Sequence, residues 1–291
     1  MASRSTRDKT LIEITVVGND REGVVAEITN SIFRNGGNIE QINQKVVHGL
    51  FGMHLQASFH NSVELQEIHS ELRELSTKLQ MEIKAHVEEP NRKKNVAVLV
   101  SKEPHCLSTI LTALHSKEID SNISVIIGSE STLKGIADEL SIPFHSVSYE
   151  SGSTNAEREI LEVVENYNVD LIVLARYMRI LTPNFVWRYP NRIINIHPSL
   201  LPAFPGAYAY VQAFERGAKI VGCTAHFVTE ELDQGPIICQ EAFKVLEDDT
   251  LETIRKKGQQ LEAATLLEAV KLFLEDRLDV YWSKVHTISK N

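Results

Sequence analysis

The chain has 291 residues, a formal net charge of −9, and hydrophobic and charged fractions of 43% and 24%. That length accommodates two domains, and the composition is that of an ordinary soluble globular protein. The acidic balance argues against nucleic acid as the main partner, because neutralising phosphates requires a basic surface. Cys106, Cys223 and Cys239 are scattered and form no C-x-x-C, so neither a disulfide framework nor a zinc site is expected. Buried thiols in a reducing cytosol are the expectation instead. No apolar run approaches the roughly 18 residues of a membrane span. The polar start MASRSTRDKT lacks the apolar core of a secretory signal, so the expected location is the cytoplasm.

Residues 1–9 read as a polar tail. Thr10–Gly18 is rich in β-branched residues and stops at a glycine, which predicts a strand. Val24, Ile28, Ile32 and Phe33 fall at helical spacing, and Gly36–Gly37 end that helix. A strand pair follows around His48–Gly49. Leu65, Ile68, Leu72, Leu75 and Leu79 then form the stripe of an amphipathic helix, and MEIKAHVEE closes the unit as a strand. The order βαββαβ over 10–89 is the ferredoxin-like arrangement. Residues 90–94 read as a short basic linker.

From 95 to 291 apolar strands alternate with helices, implying an α/β unit with a mostly parallel, Rossmann-like sheet covered on both faces. Strand-like runs are NVAVLVS, NISVIIGS, PFHSVSY, DLIVLARY and RIINIH, with helices starting near Pro104, Ser131, Asn155 and Thr182. A helix to about Arg216, the strands IVGCTAHFVT and IICQEAFKVL, and a long helix from Leu251 to about Leu274 complete the pattern.

Two stretches carry chemistry. In IINIHPSLLPAFPG, Asn195 and His197 interrupt an apolar strand, and residues two apart share one face. Pro198 forces the chain out of the sheet, and Pro202 and Pro205 stiffen the loop beyond it. An amide and an imidazole side by side suit a carbonyl oxygen that develops negative charge. The same spacing is equally served by two polar side chains that satisfy loop backbone groups. In HFVTEELDQGPII, Asp233 sits in a turn between two strands, where a carboxylate can act as general base. Glu230 and Glu231 read as a solvated loop face, and His226 shares a face with Thr224 and Val228 as a supporting residue.

The turn GNDREGVVAEIT and the helix exit GGNI resemble an ACT domain, which implies an amino-acid effector and association of subunits as a dimer or tetramer. Asn195-x-His197, HPSLLPAFPG and HFVTEELDQGPII together resemble the folate-dependent formyltransferase fold. This resemblance implies that Asn195, His197 and Asp233 process the formyl group of 10-formyltetrahydrofolate. It also implies that ARYMRILTP holds the folate through Met178, Arg179, Ile180 and Leu181, with Thr229 a further contact. A cis peptide at Leu201–Pro202 is implied too. Members that formylate glycinamide ribonucleotide carry a glycine-rich turn after the first strand. Here VLVSKEPHCL has no glycine, and Lys102 and His105 border the acceptor side instead.

An ACT-like module joined to this fold resembles the formyltetrahydrofolate deformylase family, which hydrolyses its folate substrate to formate and tetrahydrofolate. That chemistry needs no metal or redox cofactor. It balances one-carbon folate pools and supplies formate for purine biosynthesis. Pro198 and Ala209 depart from the family pattern, where histidine and proline are expected. The alternatives are a formyltransferase with an amine acceptor, a metallohydrolase built on His197, His226 and Asp233, and an amino-acid-sensing regulatory protein.

Overall fold

The computed structural model describes residues 9–60, 65–87, 92–150, 152–203 and 209–289. The chain divides into two compact units between Arg92 and Lys93. The tail before Lys9, Pro90 of the linker, and Pro205 and Gly206 of the proline-rich loop lie outside the described residues.

The first unit runs β1 (Lys9–Asn19), α1 (Val24–Arg34), β2 (Asn38–Val47), β3 (Leu50–His60), α2 (Leu65–Leu79) and β4 (Glu82–Val87). Its antiparallel sheet has the order β2-β3-β1-β4. The β2–β3 turn falls at His48 and Gly49, both with positive φ, a conformation whose twist matches the flanking strands. Val24, Ile28 and Ile32 are buried, as are Ile68, Leu72, Leu75 and Leu79. Phe33 departs from the expected stripe and is 78% exposed. It follows Ile32 directly, and one residue turns about 100° around a helix, away from the buried face.

The second unit begins with β5 (Asn95–Val100), α3 (His105–His115), β6 (Asn122–Gly128), α4 (Lys134–Glu139), β7 (Phe144–Ser146) and α5 (Ser153–Asn166). It continues with β8 (Leu171–Ala175), the single turn α6 (Pro183–Val186), β9 (Ile193–His197), α7 (Ala209–Glu215), β10 (Ile220–Phe227) and β11 (Ile237–Lys244). It ends in α8 (Leu251–Leu274) and the hairpin β12 (Leu278–Tyr281) and β13 (Lys284–Thr287). The α4 helix starts later than Ser131 because a backbone turn from Lys134 to Ser131 comes first.

The seven-stranded sheet has the order β11-β10-β9-β8-β5-β6-β7. Strands β7, β6, β5, β8 and β9 are parallel, and β10 and β11 extend the sheet as antiparallel partners. Along β5, Val96, Val98 and Val100 enter the core that contains α8, while Ala97 and Leu99 enter the core that contains α5 and α6. Both faces are covered, which is why these strands read as unbroken apolar runs. In β9, Ile194 and Ile196 fill the first core and Ile193 the second. Asn195 and His197 therefore share the face of Ile193 at the carboxyl end of the strand, where α/β sheets bind ligands.

Candidate active site

Strand register brings the two singled-out stretches together. In the antiparallel β9–β10 pair Asn195 lies opposite His226, and His197 lies opposite Thr224. Asn195 Nδ2 is 3.2 Å from His226 Nε2, and His226 Nδ1 is 2.8 Å from the Phe227 carbonyl oxygen. A carbonyl only accepts, so Nδ1 carries the hydrogen and, in the neutral ring, Nε2 presents its lone pair. The Asn195 amide must then turn its N–H towards His226. Burial pushes the His226 imidazole below its ordinary value, which keeps the ring neutral in this role.

The turn carrying Asp233 folds back over the end of β10. Phe227 N donates to the Pro236 carbonyl at 2.9 Å, and Asp233 adopts φ 56°, a left-handed conformation that Asp tolerates better than most residues. Gly235 makes the close return feasible: a Cβ there would lie 1.7 Å from the Phe227 carbonyl oxygen. The buried Asp233 carboxylate ends with Oδ2 3.4 Å from His197 Nδ1 and Oδ1 3.9 Å from His226 Nε2. The second of these is a contact and not an ion pair, because His226 is neutral and its Nε2 faces the Asn195 N–H. The same engagement spends the lone pair that a metal at His197, His226 and Asp233 would need.

The loop after β9 is pinned from below. The Thr224 hydroxyl donates to the Ser199 carbonyl at 2.7 Å and accepts from Leu201 N at 3.0 Å. Gln240 Nε2 donates to Thr224 Oγ1 and to the Leu201 carbonyl, at 2.8 and 3.0 Å. The Leu201–Pro202 peptide is cis.

Asn195, His197, His226 and Asp233 line a cavity of about 300 Å³, together with Met178, Arg179, Ile180, Leu181 and Thr229. Met178 and Ile180 are 60% and 68% exposed at this wall. Their loop is held at both ends: Met178 N donates to Ser101 Oγ at 3.1 Å, and Thr182 N donates to Glu157 Oε1 at 2.8 Å. Burial pushes the Glu157 carboxyl up, although both bonds from Thr182 oppose that shift. The Arg179 guanidinium lies 4.6 Å from the centre of the Tyr149 ring, whose hydroxyl pairs with that of Tyr177 at 2.5 Å. Glu230, which also lines the cavity, accepts from Trp187 Nε1 at 3.3 Å. Lys102 and His105 are not among the lining residues. Lys102 points to Glu130 at 3.4 Å, and His105 Nε2 meets Glu262 at 3.2 Å.

Residues 94–270 match the formyl transferase family model, and residues 10–86 match the ACT domain model. A formyltetrahydrofolate deformylase of Escherichia coli O6:H1 is 39% identical over 270 residues, covering 91% of this chain and 94% of that one. The chain belongs to the formyltetrahydrofolate deformylase family. A crystal structure of a family member from Pseudomonas syringae superposes with a TM-score of 0.67 at 31% identity, covering 98% of this chain and 96% of the other. A glycinamide ribonucleotide transformylase from Symbiobacterium toebii aligns with a TM-score of 0.66 at 35% identity. It covers 70% of this chain and 97% of its own.

Beside the cavity of this deformylase-family chain lies a buried charged cluster of Glu262, Arg176, Glu103 and His105, of which only His105 stands out in the sequence. Glu262 of α8 is fully buried and accepts from Tyr210 Oη at 2.5 Å, with His105 Nε2 at 3.2 Å and Arg176 Nε at 3.4 Å. Arg176 Nε also donates to Glu103 at 3.0 Å. Burial pushes the Glu103 carboxyl up, but the Arg176 guanidinium outweighs it and holds the group below the usual carboxylate value. His105, Cys106 and Glu262 have donor atoms within 4.8 Å of one another, the spacing of a metal centre. The Glu262 oxygens are nevertheless engaged by protein donors, and burial pushes the Cys106 thiol up, away from the thiolate a metal binds. A signal for this cluster was present: Ile254, Gly258, Glu262 and Leu266 recur every four residues, so Glu262 occupies the buried stripe of its helix.

Proposed function

We propose that the chain hydrolyses 10-formyltetrahydrofolate to formate and tetrahydrofolate. The observation that carries this reading is the convergence of Asn195, His197 and Asp233 on one apolar-walled cavity, in a chain whose deformylase relatives match it across both units.

In this mechanism the formyl oxygen faces Asn195 and His197. One Asn195 N–H is spent on His226, and the other donates to the oxygen as it gains negative charge. Asp233 orients a water molecule and takes its proton, and the resulting hydroxide adds to the formyl carbon. The tetrahedral intermediate collapses with cleavage of the bond to the folate nitrogen. Asp233 relays the proton to that departing nitrogen, and formate leaves. Met178, Arg179, Ile180, Leu181 and Thr229 supply the folate wall, with the ring system lying against the apolar side chains. Neither a metal nor a redox group enters the balance, since water adds across one carbon–nitrogen bond and no electrons are transferred.

The ACT-type unit is assigned an amino-acid effector and a part in subunit association as a homo-oligomer, and the protein is assigned to the cytoplasm. Among the described residues no helix is long and apolar enough to cross a membrane. The deciding experiment measures formate release from 10-formyltetrahydrofolate with no acceptor added, in the presence and absence of glycine or methionine. Absence of formate under all conditions refutes the hydrolase reading.

A further inference from the structure

The solved transformylase relatives share the second unit of this chain, and several are named for phosphoribosylglycinamide, an amine-bearing acceptor. A hydrolase and an amine-using transferase on one scaffold must differ in whether a second substrate has room beside the formyl carbon. In a parallel sheet that room lies above the carboxyl ends of the central strands. Here those ends belong to β5, β8 and β9, which are neighbours in the sheet.

Above β5 and β8 the space is filled by paired charges. Arg176 follows directly on β8 and lines the same cavity as Asn195, His197 and Asp233. Leu174 is paired with Asn195, so Arg176 stands two residues beyond Leu174 as His197 stands two beyond Asn195. Its guanidinium is held between Glu103 and Glu262, its side chain is largely buried, and its backbone sits at φ 59°, a conformation that arginine adopts only under constraint. Glu103 and His105 come from the turn that opens α3, Tyr210 from α7 and Glu262 from α8. Gly258 leaves the room for this closure, because a Cβ there would lie 2.4 Å from Tyr210 Oη. Four elements are thus tied into one wall by charge-assisted bonds.

We infer that the Glu103–Arg176–Glu262–His105 cluster fills the acceptor space of this fold and restricts the nucleophile to water. The inference rests on the hydrolase reading above. When water attacks, the carbon–nitrogen bond to folate breaks and formate, a proton and the free folate amine result. When an amine attacks, the same bond breaks, the folate nitrogen takes the amine's proton, and a formamide forms. The two outcomes differ only in which nucleophile reaches the carbon, so their product ratio reports on space and not on overall stability.

The experiment supplies the full-length protein with 10-formyltetrahydrofolate and an excess of glycinamide, and quantifies formate and formylglycinamide. Wild type yields formate. Glu103→Gly with His105→Gly empties the turn side of the cluster while leaving Glu262 its bonds to Tyr210 and Arg176. It raises the ratio of formylglycinamide to formate by about 10-fold or more, the scale on which pocket shape discriminates substrates. Glu103→Gln with His105→Gln nearly keeps the volume and leaves the ratio near that of wild type. If the double glycine variant is not folded by circular dichroism, His105→Gly alone is read in the same way. An unchanged ratio in the folded opening variant, or ready transfer to glycinamide by wild type, overturns the inference. Failure of wild type to release formate without amine counts against the hydrolase reading instead.

Discussion

Replacing Gly235 by alanine tests whether the Asp233 turn sets the rate. The added methyl would lie 1.7 Å from the Phe227 carbonyl oxygen, whereas real Cβ contacts essentially never fall under 3.0 Å. Gly235 therefore has to move by about 1.3 Å, the difference between those two distances. Phe227 cannot give way instead, because its N–H is bonded to the Pro236 carbonyl and its own carbonyl accepts from His226 Nδ1. Asp233 is two residues away on the same tight turn, so its carboxylate moves with Gly235. A displacement of about 1 Å at a reacting group costs on the order of 10²-fold in rate. The overpacking itself costs about 1–3 kcal/mol of stability. The assay is steady-state formate release, with KM and kcat resolved, beside a thermal midpoint. We expect kcat to fall about 100-fold while KM moves much less, since the proposed folate wall at 178–181 hangs from a different strand. Gly135→Ala is the control: nothing lies within 4 Å of its added methyl, and kcat is expected to stay unchanged. A folded Gly235→Ala enzyme with kcat within about twofold of wild type would refute the assignment of Asp233 to the chemical step.

Asn195→Ala removes one donor from the developing oxyanion and is expected to lower kcat by about 10²–10³-fold with the fold intact by circular dichroism. Asp233→Asn keeps the shape of the turn but removes the base, and kcat should fall by roughly 10²–10⁴-fold in the same formate assay. Glu157→Ala releases both bonds from Thr182 and loosens the loop proposed to hold folate, so KM should rise by about 3–10-fold, the worth of a buried hydrogen bond, with kcat little altered. His226 offers a pH test. Burial, opposed by the Phe227 carbonyl and by Asp233, sets its folded-state value below the ordinary 6.5, so the unfolded chain binds a proton that the folded one refuses. Its contribution to stability is fully present above that ordinary value and is lost as pH falls below it towards the depressed folded value. Unfolding free energies from denaturant titrations between about pH 8 and 5.5 should therefore fall less steeply in His226→Gln, by up to about 1.4 kcal/mol per pH unit. Identical slopes in variant and wild type would show that His226 is not held neutral.

Much of the architecture was legible along the chain because it depends on local periodicity. The α8 helix spans the stretch marked by its apolar pattern, β9 stops where Pro198 removes the next donor, and the two-residue turn at His48–Gly49 separates β2 from β3. Phe33 shows the limit of that reasoning, since adjacency in sequence is not adjacency on a helix face. The pairing of Asn195 with His197 was legible too, because a period of two is a property of a single strand. Their chemistry was not, since the same spacing also serves two polar residues that merely satisfy a loop.

Tertiary structure decided what depends on register and on closure across distant segments. Only the β9–β10 pairing sets His226 opposite Asn195 and so determines the tautomer of one and the orientation of the other. Only the return of the chain over Phe227 carries Asp233 to His197. The charged wall at Arg176 is assembled from residues as far apart as 103 and 262; the helix pattern marks Glu262 as buried, but not which distant side chains meet it. Sequence alone determines where each strand and helix wants to form, because that preference is written in neighbouring residues. Which side chains meet is settled by long-range packing, because a contact between segments belongs to neither one until the sheet has closed.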